Sequence, residues 1–376
     1  MNNSKFFIFA LLCAGNVAIS FNTGAVSAAI PIIGQSLGQP DFLVAKLVPY
    51  YMIPYGLGAL LYAPLVRALN YRLVLMAAMA VFSLMSLVSG LSHAFGTILW
   101  AQIGAGMAAA SSTPLSLMVI GDFFERDIRG RLVGIYFGCS FFTSVVGLVF
   151  MGVVDWRWLF LVPSILGASV AIILFFLKNS ILNKRHDEYV NYFHAFLKPE
   201  IRKVFILIFL MSFFYHAVQK WYGVYLFQEY GLDKKAISWI LILGAVSGLL
   251  GQQIGGYLSD KRGRAATCRI GIGLWGTAVC FLVGHYPVFL LPIIIGIVTI
   301  GWTMSHNSIS TILTDFPDED RPVMASLNSS VRFVSGGVGF SLSAFFVAQN
   351  FQLTFLGIGC LILLLIYILK YILTNE

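Results

Sequence analysis

The sequence predicts an all-α integral membrane protein with twelve spanning helices. Three observations carry that prediction. Of the 376 residues, 59% are apolar and only 11% charged, where a soluble domain carries about 25% charged residues. Mostly apolar stretches of the roughly 20 residues needed to cross a bilayer recur along the whole chain. Lys and Arg collect in alternate gaps between those stretches. None of the stretches alternates like a barrel strand, and backbone groups in hydrocarbon must pair within their own segment, so the spans are helical.

The spans are placed over residues 6–33, 42–66, 72–92, 95–123, 130–154, 156–177, 203–228, 236–259, 266–285, 287–313, 322–348 and 351–373. With the N-terminus in the cytoplasm, eighteen of the twenty-four Lys and Arg fall on the inside, among them Arg67, Arg72, Arg129, Arg131, Lys261, Arg262 and Arg264. Four fall outside (Lys46, Arg157, Lys234, Lys235), and Lys220 and Arg332 lie within spans. The expectation is a plasma (inner) membrane protein with both termini cytoplasmic. The first stretch is read as an uncleaved helix and not a signal peptide, because eleven further stretches follow it.

An internal repeat divides the chain. Leu65–Tyr71 lies 193 positions before Leu258–Arg264, the same offset carries Asp122 onto Asp315, and after a one-residue gap Gly147 meets Gly339. The predicted organisation is a six-helix bundle over 1–177, a cytoplasmic linker over 178–202 and a second six-helix bundle over 203–376. In the linker Tyr189, Tyr192, Phe193, Phe196 and Leu197 recur at helical spacing, which reads as a short amphipathic helix on the membrane surface or as a plain connection.

The net charge of +8 is spread singly between apolar runs and makes no continuous patch for a phosphate backbone, so nucleic acid is excluded as a partner. Five scattered cysteines without metal-ligand spacing predict neither a metal site nor a disulfide framework, and no cofactor is implied. An enzyme would need a catalytic constellation at the membrane, and none is present. A sensor built on the same spans would add a soluble output domain, and no gap exceeds about 25 residues.

Between the eighth and ninth spans runs Gly255-Gly256-Tyr257-Leu258-Ser259-Asp260-Lys261-Arg262-Gly263-Arg264. This loop resembles the signature loop of the major facilitator superfamily of secondary transporters. Asp155-Trp156-Arg157-Trp158-Leu159-Phe160 is similar to the entry of the sixth helix in its drug-exporter-like branch. The resemblance implies a monomeric transporter working by alternating access. It also implies that Asp260, with Arg262, Gly263 and Arg264, latches the cytoplasmic side against the start of the fifth span and Arg129 or Arg131. A carboxylate suits such a helix N-terminus, where orphan N–H groups carry about half a positive charge. The chain departs from the family pattern at three places: Arg67 and Asn70 stand where the first copy of the loop has Asp and Gly, Gln102 replaces a basic residue, and Gly138–Gly147 has no proline.

All sixteen acidic residues fall in loops, at helix ends or at termini. A cavity for cations is therefore not expected. Ser212, His216 and Lys220 share one face of the seventh span, Thr299, Trp302, His306 and Ser310 one face of the tenth, and Asn328, Arg332 and Ser335 one face of the eleventh. Asn16 comes from the first span, Gln102 and Thr113 from the fourth. Each polar group has a plainer reading as a hydrogen bond to a neighbouring helix, and each histidine as a packed neutral ring. Lys220 and Arg332 cost about 2.5–3.5 kcal/mol apiece at a span centre on insertion scales, which marks them as functional. The expected substrate is a small organic anion bearing a carboxylate or phosphate. Arg332 and Lys220 would hold its charge, with His306, Trp302, His216, Asn16, Gln102, Thr113 and Asn328 lining the site. If protons drive transport, His216 or His306 is the expected carrier. A proton-coupled efflux pump for neutral or lipophilic drugs is the alternative.

Overall fold

The structure is a computed structural model that describes residues 3–177, 181–185, 192–312 and 321–372. Among the described residues there is no strand. Helix occupies every predicted span. The first holds α1 (Asn3–Ser20), α2 (Ala25–Ala28) and α3 (Ile30–Leu37); the second α4 (Asp41–Val44), α5 (Leu47–Ala59) and α6 (Tyr62–Ala68). Then follow α7 (Tyr71–Leu91), α8 (Phe95–Ala109) with α9 (Ser112–Phe123), α10 (Arg126–Val153) and α11 (Trp158–Phe176). After α12 (Tyr192–Leu197) come α13 (Pro199–Gln219) with α14 (Tyr222–Tyr230), α15 (Lys234–Arg262), α16 (Arg264–Phe281), α17 (Leu291–Ile312), α18 (Arg321–Val347) and α19 (Phe351–Ile372). Among the described residues ten of these segments are long and apolar enough to cross a bilayer. The second span is an eleventh, bent by 47° between α5 and α6. The ninth predicted span holds α16, of 18 residues, which is not among them.

Continuous spans were expected, and four of them are broken. Proline rings explain three of the six breaks, because a proline removes one N–H and collides with the carbonyl four residues earlier. Pro49, Pro64 and Pro114 stand four residues after Ala45, Leu60 and Ala110, the positions at which α4, α5 and α8 give way to the next helix. In the first span Asn22, Thr23 and Gly24, all poor helix formers, separate α1 from α2. The seventh span breaks at Lys220–Trp221 without a proline, and for that break we have no local account.

The chain forms two compact units: residues 1–192 with Pro322–Val334, and Phe193–Arg321 with Ser335–Glu376. In the first, Phe9, Ile120, Phe124, Leu132 and Tyr136 form one buried cluster that ties α1, α9 and α10 together. The loop copies use different chemistry in the two units. Gly263 turns from α15 into α16 with φ at +82°, a conformation that favours glycine. Asn70, at the matching place, is extended, and its side chain caps α7 by accepting from the Leu73 N–H at 2.8 Å. Arg72 then donates to the Leu174 and Phe175 carbonyls at 2.7 and 2.6 Å, satisfying the C-terminal end of α11. Arg157, which lies 4.5 Å over the Trp156 ring, donates to the carbonyls of Gly90 and Ser92 at the end of α7.

The paired glycines of the repeat do the same work twice. A Cβ on Gly147 of α10 would collide with the Phe21 carbonyl in the first unit, and one on Gly339 of α18 would collide with the Phe213 carbonyl in the second. Among the described residues the helix of the linker is α12, which ends at Leu197, and Pro199 opens α13 two residues later. Tyr189, and Asp315 with the acidic segment that follows it, lie outside the described residues.

Candidate substrate-binding site

Broken spans free backbone carbonyls and N–H groups at membrane depth, and irregular backbone there is tolerated where it is buried in protein or lines a cavity. Polar side chains gather at those breaks in both units. In the first, the Tyr62 hydroxyl donates to the Met107 and Ala108 carbonyls at 2.8 and 3.2 Å, at the break between α8 and α9. Ser112 and Thr113 stand in the first turn of α9. The Tyr136 hydroxyl bonds Ser112 at 2.6 Å, and the Tyr55 hydroxyl lies within electrostatic reach of Thr113 and Arg332. Tyr55 also stacks on Phe333 with ring centroids 3.8 Å apart. Gly56 permits that approach, since a Cβ there would press on Ser330 and Val334 of α18.

Asn16 is buried and donates to the Tyr136 carbonyl at 2.8 Å, with Ser20 donating back to its side-chain oxygen at 3.2 Å. Asn328 stands one turn before Arg332. Its side-chain oxygen and the Tyr51 hydroxyl are buried polar atoms with no hydrogen bond among the described residues, so two polar positions are left for another occupant. The first unit thus brings Thr113, Arg332 and Asn328 into one neighbourhood, to which Asn16 is joined through Tyr136. Gln102 goes elsewhere: it is buried and donates to Ser89 of α7 at 3.1 Å.

In the second unit Lys220 caps α13 and is only 6% exposed. One turn earlier His216 has Nδ1 2.8 Å from the Ser212 carbonyl. The Ser212 hydroxyl stands 3.2 Å from the same nitrogen. Trp302 is buried between aromatic neighbours: Tyr215 stacks on it at 4.0 Å and an interplanar angle of 6°, and the His306 and His216 rings stand 5.4 and 6.3 Å away. His216, Trp302 and His306 therefore form one cluster, with Tyr215 and Trp275 as members that the sequence reading missed. Tyr51, Tyr55, Tyr62 and Tyr136 were missed in the first unit for the same reason: an aromatic residue in an apolar run reads as core.

The residues expected to form a latch are placed as follows. Asp260 is exposed near the end of α15, with Arg262 exposed and Arg264 opening α16 after Gly263. Arg129 donates from Nε to the Phe124 carbonyl at 2.9 Å, and Arg131 is exposed. Among the described residues no cluster of His, Cys, Asp and Glu is arranged to hold a metal.

The comparisons agree with this architecture. The family model of the Major Facilitator Superfamily matches residues 12–233 and 204–376. A probable L-galactonate transporter of Escherichia coli (strain K12) is 26% identical over 262 residues, covering 63% of this chain and 57% of that relative. An uncharacterized MFS-type transporter, YbcL of Bacillus subtilis (strain 168), is 21% identical over 385 residues, covering 100% of this chain and 97% of the relative. The crystal structure of a bacterial homologue of the human lysosomal transporter Spinster, inward-facing and occupied, superposes with a TM-score of 0.80 at 14% identity, over 100% of this chain and 98% of that one. Helical spans, loop signature, repeat and family match converge on one conclusion: the chain belongs to the Major Facilitator Superfamily of membrane transporters and is not an enzyme.

Proposed function

We propose that this transporter moves a small organic anion, carrying a carboxylate or phosphate, across the membrane by alternating access. The observation that supports this best is the grouping of Arg332, Tyr55 and Thr113 at the N-terminal end of α9. A half-helix N-terminus at membrane depth offers N–H donors and about half a positive charge. Arg332 adds a fork of donors whose geometry matches a carboxylate. Lys220, buried at the break of the seventh span, supplies a second positive charge as a compact point. The similarity to a relative named as a probable L-galactonate transporter supports an anion, and a sugar acid also offers hydroxyls to Tyr51 and Asn328.

On this reading His306, Trp302, His216 and Asn16 complete the solute's surroundings, and His216 or His306 carries protons where transport is coupled to them. Asp260, Arg262, Gly263 and Arg264 form the cytoplasmic latch with Arg129 and Arg131. The protein is a monomer of the plasma (inner) membrane with both termini cytoplasmic, and nucleic acid is not a partner. A second reading, proton-coupled efflux of neutral or lipophilic drugs, is favoured by the likeness of Asp155–Phe160 to the drug-exporter-like branch.

Thermal-shift titration of the purified protein with galactonate and related sugar acids tests the proposal. Anions should stabilise the wild type by mass action. Arg332→Met and Lys220→Met should each weaken that binding tenfold or more, as loss of about 1.5–3 kcal/mol from a charged hydrogen bond requires. Undiminished binding by both variants, or stabilisation by cationic ligands alone, would refute the anion assignment.

A further inference from the structure

The second unit contains a cavity of about 550 Å³ between α13, α18 and α19. It lies apart from the cluster around Trp302. Its floor is made by Phe213 and Ala217 of α13 with Gly339 and Ser343 of α18. Its rims are Leu342 and Phe346 on one side and Leu353 and Leu361 on the other, 48, 61, 65 and 46% exposed. The groove is therefore continuous with the apolar surface that faces the bilayer. Gly357 keeps it open along α19, since a Cβ there would meet nothing within 4 Å. Beside the floor, Trp221 packs on Phe340 at 4.5 Å and donates to Ser343 at 2.9 Å, which fixes the wall behind it.

Polarity and depth identify what fills it. The only polar lining besides Ser343 is Gln349, Asn350 and Thr354, at the turn joining α18 to α19. From that turn to Leu361 the groove follows about ten residues of α19, roughly 15 Å of helix. That is half of the approximately 30 Å hydrocarbon core, one leaflet deep. A partner's spanning helix would need a groove of twice that length, and water does not settle in an apolar cavity. An acyl chain satisfies both the length and the lining.

We propose that this groove binds one acyl chain of a diacyl phospholipid from the leaflet on the Asn350 side, with the ester region at Gln349, Asn350 and Thr354. The chain lies against Ala217, one turn before the Lys220–Trp221 break, so its occupancy braces the seventh span where that span is interrupted.

The test uses the full-length protein in detergent and dioleoyl phosphatidylethanolamine as the probe. Native mass spectrometry after delipidation and back-titration should find one phospholipid retained per wild-type chain. Gly357→Phe, whose ring fills the open lane, should reduce that occupancy at least tenfold while its melting temperature in lipid-free detergent stays unchanged. Equal retention by Gly357→Phe, or adducts of detergent alone, overturns the proposal. A photo-crosslinking amino acid at Leu353 gives a measurement that does not depend on the variant's folding. It should capture the phospholipid well above the level captured from Trp239, an exposed position on α15. Equal capture at the two positions also overturns it.

Discussion

At the scale of single residues, the histidines offer the sharpest experiment. His216 is anchored through Nδ1 to the Ser212 carbonyl, and His306 stands against the same Trp302 ring that faces His216. Imidazole is the side chain whose ordinary titration, near pH 6.5, spans physiological conditions. If protons drive the cycle, wild-type transport in proteoliposomes should change between about pH 5.5 and 7.5, and the His216→Gln/His306→Gln double variant should be flat over that range. A double variant with the wild-type profile would clear both residues of proton transfer. These positions were legible in the sequence because an ionisable group inside an apolar run is costly enough to need a reason. Tyr51 and Tyr55 carried no such signal, because a tyrosine can bury its ring for hydrophobic gain and show its hydroxyl only when neighbours are placed around it.

At the scale of elements, small residues and prolines decide how closely spans approach and where they break. Gly147→Ala and Gly339→Ala should each lower stability by about 1–3 kcal/mol, the usual cost of overpacking, because the added methyl meets a carbonyl of the neighbouring span. Gly138→Ala in α10, where a Cβ meets nothing within 4 Å, should be neutral or raise stability by up to about 1 kcal/mol through helix propensity. Thermal denaturation in one detergent separates the two classes, and an equal loss in all three would refute the contact argument. The breaks after Ala45, Leu60 and Ala110 were implicit in Pro49, Pro64 and Pro114. Yet Pro54 and Pro163 sit inside α5 and α11 without ending them. The ring forbids one local hydrogen bond, and the surrounding packing decides whether the helix kinks or stops.

At the scale of the whole molecule, alternating access requires the cytoplasmic side to close and reopen, and the proposed latch assigns that closure to Asp260. Removing its charge by Asp260→Asn should weaken the outward-facing state by about 1–2 kcal/mol if the carboxylate becomes partly buried at a helix N-terminus. Cysteine labelling of cytoplasmic cavity positions should then rise several-fold in the variant. Unchanged labelling would remove Asp260 from gating. The turns of the two loop copies differ, Asn70 acting as a cap and Gly263 at positive φ, and Arg67 stands where the first copy would need its carboxylate, so the proposed latch draws on the second copy.

The sequence by itself determined what depends on composition and local order: helices in place of strands, the rough limits of the spans, the repeat, and the cations kept inside apolar runs. Each follows from how one segment meets hydrocarbon, which a window of about 20 residues already states. Only the tertiary structure decided which polar groups share a neighbourhood. It turned Gln102 towards Ser89 and away from Thr113, gathered four tyrosines near the break before α9, and opened the groove beside Gly357. Those outcomes depend on which faces of separate helices are apposed, and helical periodicity orders a face without naming the helix it will meet.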